Sequence, residues 1–209
     1  MKFMYKNSIL DKSVKEKIKF FFRNPTEVPE KSGEFSILYL LRRDIKMCLG
    51  IDPNNNTKIG YQALWPGTMA ILAGIDLVAK FYEGNDETRN GAVGKRFRQF
   101  LKEYFGLNNE EQKTIYQLRN SLLHSFGLYS KDRKGNEYKF VLTSKQESVQ
   151  LVQCMENNNY LIDIRTLHKQ FEIAIEKYQT DVIADVKYKQ ILQENFSKMF
   201  PKYSATNIG

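Results

Sequence analysis

With 209 residues, 42% of them hydrophobic and 13% aromatic, the chain carries enough apolar surface for one domain with a proper core, which excludes intrinsic disorder. A formal net charge of +8 favours an anionic partner, nucleic acid foremost, against the plainer reading of a solvated surface in a Lys-rich proteome. Cys48 and Cys154 stand far apart and in no metal-ligand spacing, so a reducing compartment is expected, with no metal and no other cofactor.

Residues 8–23 read as an amphipathic helix, with Ile9, Val14, Ile18, Phe21 and Phe22 set among lysines, and Asn24-Pro25 ends it. Pro29 and Gly33 mark a loop. A second helix is expected over 35–49, stopping at Gly50, and Asp52-Pro53-Asn54-Asn55-Asn56 is a turn-rich linker. Trp65-Pro66-Gly67 leads into a third helix over 67–83 that is apolar nearly all round, the mark of a buried central helix. Within it, Ala70 and Gly74 would let a neighbouring backbone approach. Its apolar run from Met69 to Ala79 is broken by Asp76 and is too short to span a bilayer. No N-terminal segment has the apolar stretch of a signal peptide. A soluble cytoplasmic protein, away from membranes, is therefore expected.

A fourth helix follows over 92–105, broken by Gly106, and a fifth over 110–126, capped by Asn108 or Asn109 and stopped at Gly127. Gly91-Ala92-Val93-Gly94-Lys95 superficially resembles a phosphate loop but lacks the preceding strand and the Gly-Lys-Ser/Thr ending. Beyond Leu128 the hydrophobic period changes. Tyr138–Leu142, Val149–Val152 and Tyr160–Ile164 read as strands of a small antiparallel insertion at 128–164. A long helix over 165–186 and a last helix over 187–199, ending before Pro201, complete the chain, and the tail beyond Lys202 is expected to fray.

The fifth helix holds the most informative stretch, Leu118-Arg119-Asn120-Ser121-Leu122-Leu123-His124. Only 2 His occur in the chain. Imidazole suits proton transfer near neutrality, and guanidinium matches phosphate oxygens. At about 100° per residue, Ile115, Leu118, Leu122 and Phe126 form one stripe, expected to face the core, while Asn120 and His124 share the opposite face. Arg119 falls about 140° from His124 on that wheel. Either its long side chain curls round the helix, or it serves a site built across a symmetry axis.

Arg119-Asn120-x-x-x-His124, followed by Ser125-Phe126-Gly127, resembles the R-N-x-x-x-H signature of HEPN-domain proteins. That superfamily comprises small all-helical domains, many of them metal-independent ribonucleases of toxin–antitoxin, abortive-infection and CRISPR systems. The likeness is specific over about ten residues around the motif; over Tyr61 to Asp185 it rests on helix count and order. It implies that Arg119, Asn120 and His124 are catalytic, that the chain pairs as a homodimer through the motif face, that RNA is the substrate, and that an antitoxin or regulatory partner exists. Other members bind RNA or partners without cutting, and a structural role would tie Arg119 and Asn120 into the bundle and leave His124 on the surface.

A second cationic feature lies on the fourth helix, where Lys95, Arg98 and Lys102 share a face with Arg96 alongside, positions suited to tracking an RNA backbone. The plainer reading is a solvated helix side. Asp76, in its apolar helix, needs a buried partner; Arg119 is one candidate, but a capping or exposed position fits the pattern better. His168 reads as a surface helical residue.

The expected fold is mainly α: a HEPN-like helical bundle with a small antiparallel β insertion. In chain order this gives an N-terminal helix and linker (1–33), the helical domain with its insertion (34–186), and a C-terminal helix and tail (187–209). The expected function is a metal-independent endoribonuclease, a toxin or phage-defence effector; the alternatives are a non-catalytic RNA-binding or dimeric module, and a helical protein unrelated to RNA.

Overall fold

Ser13 begins the first helix: its hydroxyl accepts from the Glu16 amide and Glu16 reaches back to the Ser13 amide, a reciprocal cap. Helix α1 therefore spans Val14–Phe21, preceded by a short 3₁₀ turn at Ile9–Asp11, rather than running unbroken from residue 8. The computed structural model describes residues 9–27, 34–145, 150–184 and 190–207. The expected loop at Pro29 and Gly33, the start of the strand at Val149, and the junction of the last two helices lie outside these residues.

The described chain is mainly helical with a small mixed sheet. Strand β1 (Glu34–Ser36) leads into α2 (Ile37–Cys48), capped by the Ser36 side chain. Helix α3 (Leu64–Glu83) starts before Trp65 and carries Pro66 in its first turn, where a missing amide proton costs nothing. Next come α4 (Ala92–Phe100), which continues into a π-helical turn at Leu101–Phe105, and α5 (Asn109–Ser125). The insertion holds β2 (Tyr129–Lys131), β3 (Glu137–Thr143), β4 (Val152–Cys154) and β5 (Asn159–Asp163). Helix α6 (Ile164–Ile183), α7 (Gln190–Tyr203) and β6 (Ala205–Asn207) follow.

Helix α3 is the centre. Ile71, Leu72, Ile75, Val78, Ala79 and Phe81 are fully buried, and α2, α4, α5, α6 and α7 all pack on it. It is long and apolar enough to cross a membrane by length and composition, but much of its surface is covered by these neighbours. At Gly74 it is side chains rather than a backbone that close in: an added Cβ would lie 2.7 Å from the Phe171 ring and 2.9 Å from Leu41. The terminal helices belong to the same core. Phe21 of α1 lies 4.3 Å from the Phe81 ring and 5.6 Å from Phe196 of α7, centroid to centroid. Such aromatic packing contributes beyond the burial itself.

Several expectations are corrected. The sheet is mixed, ordered β2-β3-β5-β4, with β3 and β5 parallel. Strand β5 runs directly into α6, whose first turn is capped by buried Asp163, so the helix's docking by Ile164 and Leu167 sets the strand's direction. Helix α7 passes through Pro201 to Tyr203 because Phe196, Met199 and Phe200 anchor its last turns in the core. The tail is paired instead of frayed, with β6 antiparallel to β1. Phe126 does not face the core. It ends α5 in the left-handed conformation at φ 48° and is 72% exposed.

His168 is also mostly buried rather than on the surface. Across from it, Arg42 forks onto Glu172 and donates to the carbonyls of Phe22 and Arg23, joining α1, α2 and α6. Burial lowers the His168 pKa; Glu172, 3.8 Å away, opposes this, while Lys46, Arg42 and Arg165 reinforce it. The unfolded chain therefore takes up this proton first. Stability from the neutral ring is intact above the unfolded value, about 6.5, and is lost as pH falls through the lower folded value. Thermal melts of the wild type should show falling Tm below about pH 6.5, and His168→Gln should flatten that part of the profile. Parallel profiles for the two proteins would refute this assignment.

Candidate functional site

Helix α5 presents the motif because its start and its packing are both fixed. Asn108 accepts from the amides of Glu110 and Glu111, and Glu111 returns a bond to the Asn108 amide. Ile115, Leu118 and Leu122 are fully buried, which turns Asn120 and His124 outward. The helix ends just beyond His124, where the Gly127 amide donates to the Ser121 carbonyl.

Arg119 curls round the helix within its own chain. Its Nη1 lies 2.6 Å from His124 Nε2 and 3.2 Å from Asn120 Oδ1. The other edge of the guanidinium grips Asp76 of α3, with Nε at 2.8 Å and Nη2 at 2.5 Å from Oδ2. Asp76 is thus neither a cap nor exposed. The Arg119 and Asp76 side chains retain only 12% and 13% of their exposure, so the pair is largely shielded from water. Asp76 Oδ1 is buried without a hydrogen-bond partner among the described residues, so the carboxylate's bonding is spent wholly on Arg119.

A guanidinium has donors only. The tautomer with its proton on Nδ1 leaves Nε2 as the acceptor for Arg119. Arg119 can also reach Asn120 from the same nitrogen, so all three motif residues meet at one point, beside the end of a groove.

The groove has a volume of about 1070 Å³ and is bounded by α4, α5 and the hairpin that starts with β2. Asn120 and His124 line it, as do Arg98, Lys113, Tyr129 and the hairpin residues Lys131 to Lys134. Of the four cations expected on α4, only Arg98 lines the groove, its guanidinium 5.5 Å from the Tyr116 ring centre. Lys95 and Lys102 are exposed outside its lining. Arg96 is corrected outright: it is 3% exposed and donates to the Glu87 carbonyl, because its position on α4 faces the core beside Phe97.

The sequence reading missed the hairpin cations. Their signal was the short run Lys131-Asp132-Arg133-Lys134 directly after the motif helix. Lys113 and Asp132 tie the hairpin to α5 at 3.0 Å. Hydrogen bonding to Tyr138 and to Asp132 pushes the Lys113 pKa up; bonding from Asn136, then from Lys113, pulls that of Asp132 down. Among the described residues, no group of three His, Cys, Asp or Glu is placed to hold a metal ion. No family model, curated protein or solved structure matches this chain.

Asp76 should act as a positioning residue for Arg119. Asp76→Asn keeps the volume but removes the charge, and should destabilise the fold by about 1–3 kcal/mol. Any activity that depends on Arg119 should fall by up to about 100-fold through misplacement. Urea denaturation and activity on the same preparation check both; an unchanged midpoint would show that Arg119 finds no net stabilisation from the pair.

Proposed function

We propose that this chain is a metal-independent endoribonuclease with a HEPN-like helical bundle. The observation that carries the reading is the meeting of Arg119, Asn120 and His124 at the end of a cationic groove, with Arg119 braced from behind by Asp76. Neutral imidazole is the form a general base requires, and a guanidinium is the group that stabilises charge on phosphoryl oxygens.

The contact between Arg119 and His124 supplies a trigger. With the ring proton on Nδ1, the Nε2 lone pair faces Arg119 in the free protein. A phosphate entering the site competes for the Arg119 donor and releases that lone pair. His124 then takes the proton of the ribose 2′-hydroxyl, and the oxygen attacks the adjacent phosphorus. The bond to the 5′-oxygen breaks, and the leaving oxygen takes a proton from a second His124 in its protonated, imidazolium form or from water. The products are a 2′,3′-cyclic phosphate and a 5′-hydroxyl, and DNA, which lacks the nucleophile, is not cut. Asn120 holds the Arg119 nitrogen or donates to phosphate.

The second His124 would come from a homodimer joined at this end of α5. Phe126 supports that arrangement: a large apolar side chain 72% exposed, two residues beyond His124, in a backbone conformation that costs a non-glycine residue about 1–2 kcal/mol. Sedimentation should show a concentration-dependent dimer that Phe126→Ser weakens; a strict monomer at micromolar concentration would remove this part of the reading. A second function, RNA binding without cleavage, is favoured by the cationic groove, which needs no reacting group to hold a phosphate backbone.

The deciding assay is purified protein with mixed RNA in the presence of EDTA. Wild type should cut, and His124→Ala should lose about a hundred- to ten-thousand-fold in rate with an unchanged circular dichroism spectrum, since His124 is exposed. Arg119→Ala should lose both activity and stability. Equal cutting by wild type and His124→Ala would overturn the proposal; binding without cutting would leave the second function.

A further inference from the structure

We propose that the groove between α5 and the β2–β3 hairpin binds a short unpaired stretch of RNA leading to His124, with Arg98, Lys131, Arg133 and Lys134 on its phosphates and Tyr129 as a stacking face for a base. This rests on the ribonuclease reading for the identity of the ligand, but its test does not depend on cleavage.

The charge of the groove comes from its hairpin wall. Lys113 is already committed to Asp132. That leaves Arg98, Lys131, Arg133 and Lys134 facing Glu110 among the charged lining residues. Lys131, Arg133 and Lys134 are exposed and form no ion pair among the described residues, so their charges are open to a polyanion. A row of such cations attracts phosphates and makes binding strongly salt-dependent.

The wall is built in advance of binding. Asp132 accepts from the amides of Lys134 and Asn136 and from the Asn136 side chain, and Gly135 turns the chain at φ +88°. Ser130 donates to Gln117 of α5 at 2.6 Å. The cations therefore sit on a braced turn beside the helix, and less ordering remains to be done when a ligand arrives.

Shape favours a single strand. From Lys113 to His124 the groove follows α5 for eleven residues, a rise of about 16 Å, with protein on both sides. Tyr129 lines it and is 46% exposed, its hydroxyl held by Glu137 at 2.9 Å, which leaves ring surface for a base. Cations interleaved with an open aromatic face are the means by which proteins hold unpaired strands. The proposed chemistry has the same demand, because a duplex holds each 2′-oxygen out of line with the bond to be broken.

The experiment uses fluorescence anisotropy with a labelled 2′-O-methyl RNA of mixed sequence, which cannot be cut, as single strand and as duplex. Wild type should prefer the single strand by at least about tenfold. Lys131→Ala/Arg133→Ala/Lys134→Ala should lower that affinity by at least about tenfold and reduce the salt slope by about two, near 0.7 for each phosphate that is no longer neutralised. Tyr129→Ala should weaken binding by about 5- to 150-fold, with Tyr129→Phe restoring it. Lys95→Ala/Lys102→Ala, outside the groove, should stay within about twofold. Arg133→Ala and Lys134→Ala singly provide the same reading if the triple variant fails to fold. Equal binding of the duplex, equal weakening in the Lys95/Lys102 variant, or polyglutamate competing as well as RNA would each overturn the proposal. RNA cleavage by wild type with undiminished binding and cleavage by the triple variant would sink the groove and leave the ribonuclease standing; groove-dependent binding without cleavage would do the reverse.

Discussion

A carboxylate midway along the largely apolar central helix fixes the side chain around which the motif meets. Asp76 sits in α3, the helix on which most of the others pack, and a carboxylate there must find a cation. Arg119 of α5 supplies it. Burial of Ile115, Leu118 and Leu122 sets the rotation of α5, and the pair then fixes the Arg119 side chain against α3. Once Arg119 is held from one side, its remaining nitrogen has a fixed direction, and it meets Asn120 and His124. An ion pair so shielded contributes little net stability over an apolar pair of the same size. Its value lies in placing a charge.

The same economy governs a second ion pair. Arg42, 2% exposed, joins three helices by bonding to Glu172 and to two carbonyls at the end of α1. His168 lies against this cluster. Arg42 and Arg119 thus have different neighbours. Arg42 bonds to groups that only the fold needs, whereas Arg119 spends one nitrogen on groups at the lip of an open groove. That difference is why one cluster reads as a fastening and the other as a site.

The small sheet gains its meaning from its position rather than its size. Strand β5 feeds α6 and so belongs to the core, with Ile162 and Asp163 fully buried. Strands β2 and β3 instead lean on α5 through Gln117, Lys113 and their partners. One face of the motif helix is thereby walled, and a surface helix becomes the floor of a groove.

The amino-acid sequence by itself determined the helical class, the approximate helix spans, the apolar stripe of α5 and the motif on its outer face. Those features are local, resting on periodicity and on caps such as Asn108 with Glu111, and local patterns survive translation from one dimension to three. It misjudged Phe126, because extending the stripe one more turn assumed that the helix continued, and the chain leaves the helix there. It also misjudged Arg96, whose charge argued for the surface while its place on α4 put it beneath. Only the tertiary structure decided that Asp76 pairs with Arg119, 43 residues away, that Arg119 reaches His124 in its own chain, and that the hairpin cations close a groove. Partners at that separation leave no period in the sequence. Their meeting is set by how helices rotate and pack, which depends on the whole core at once.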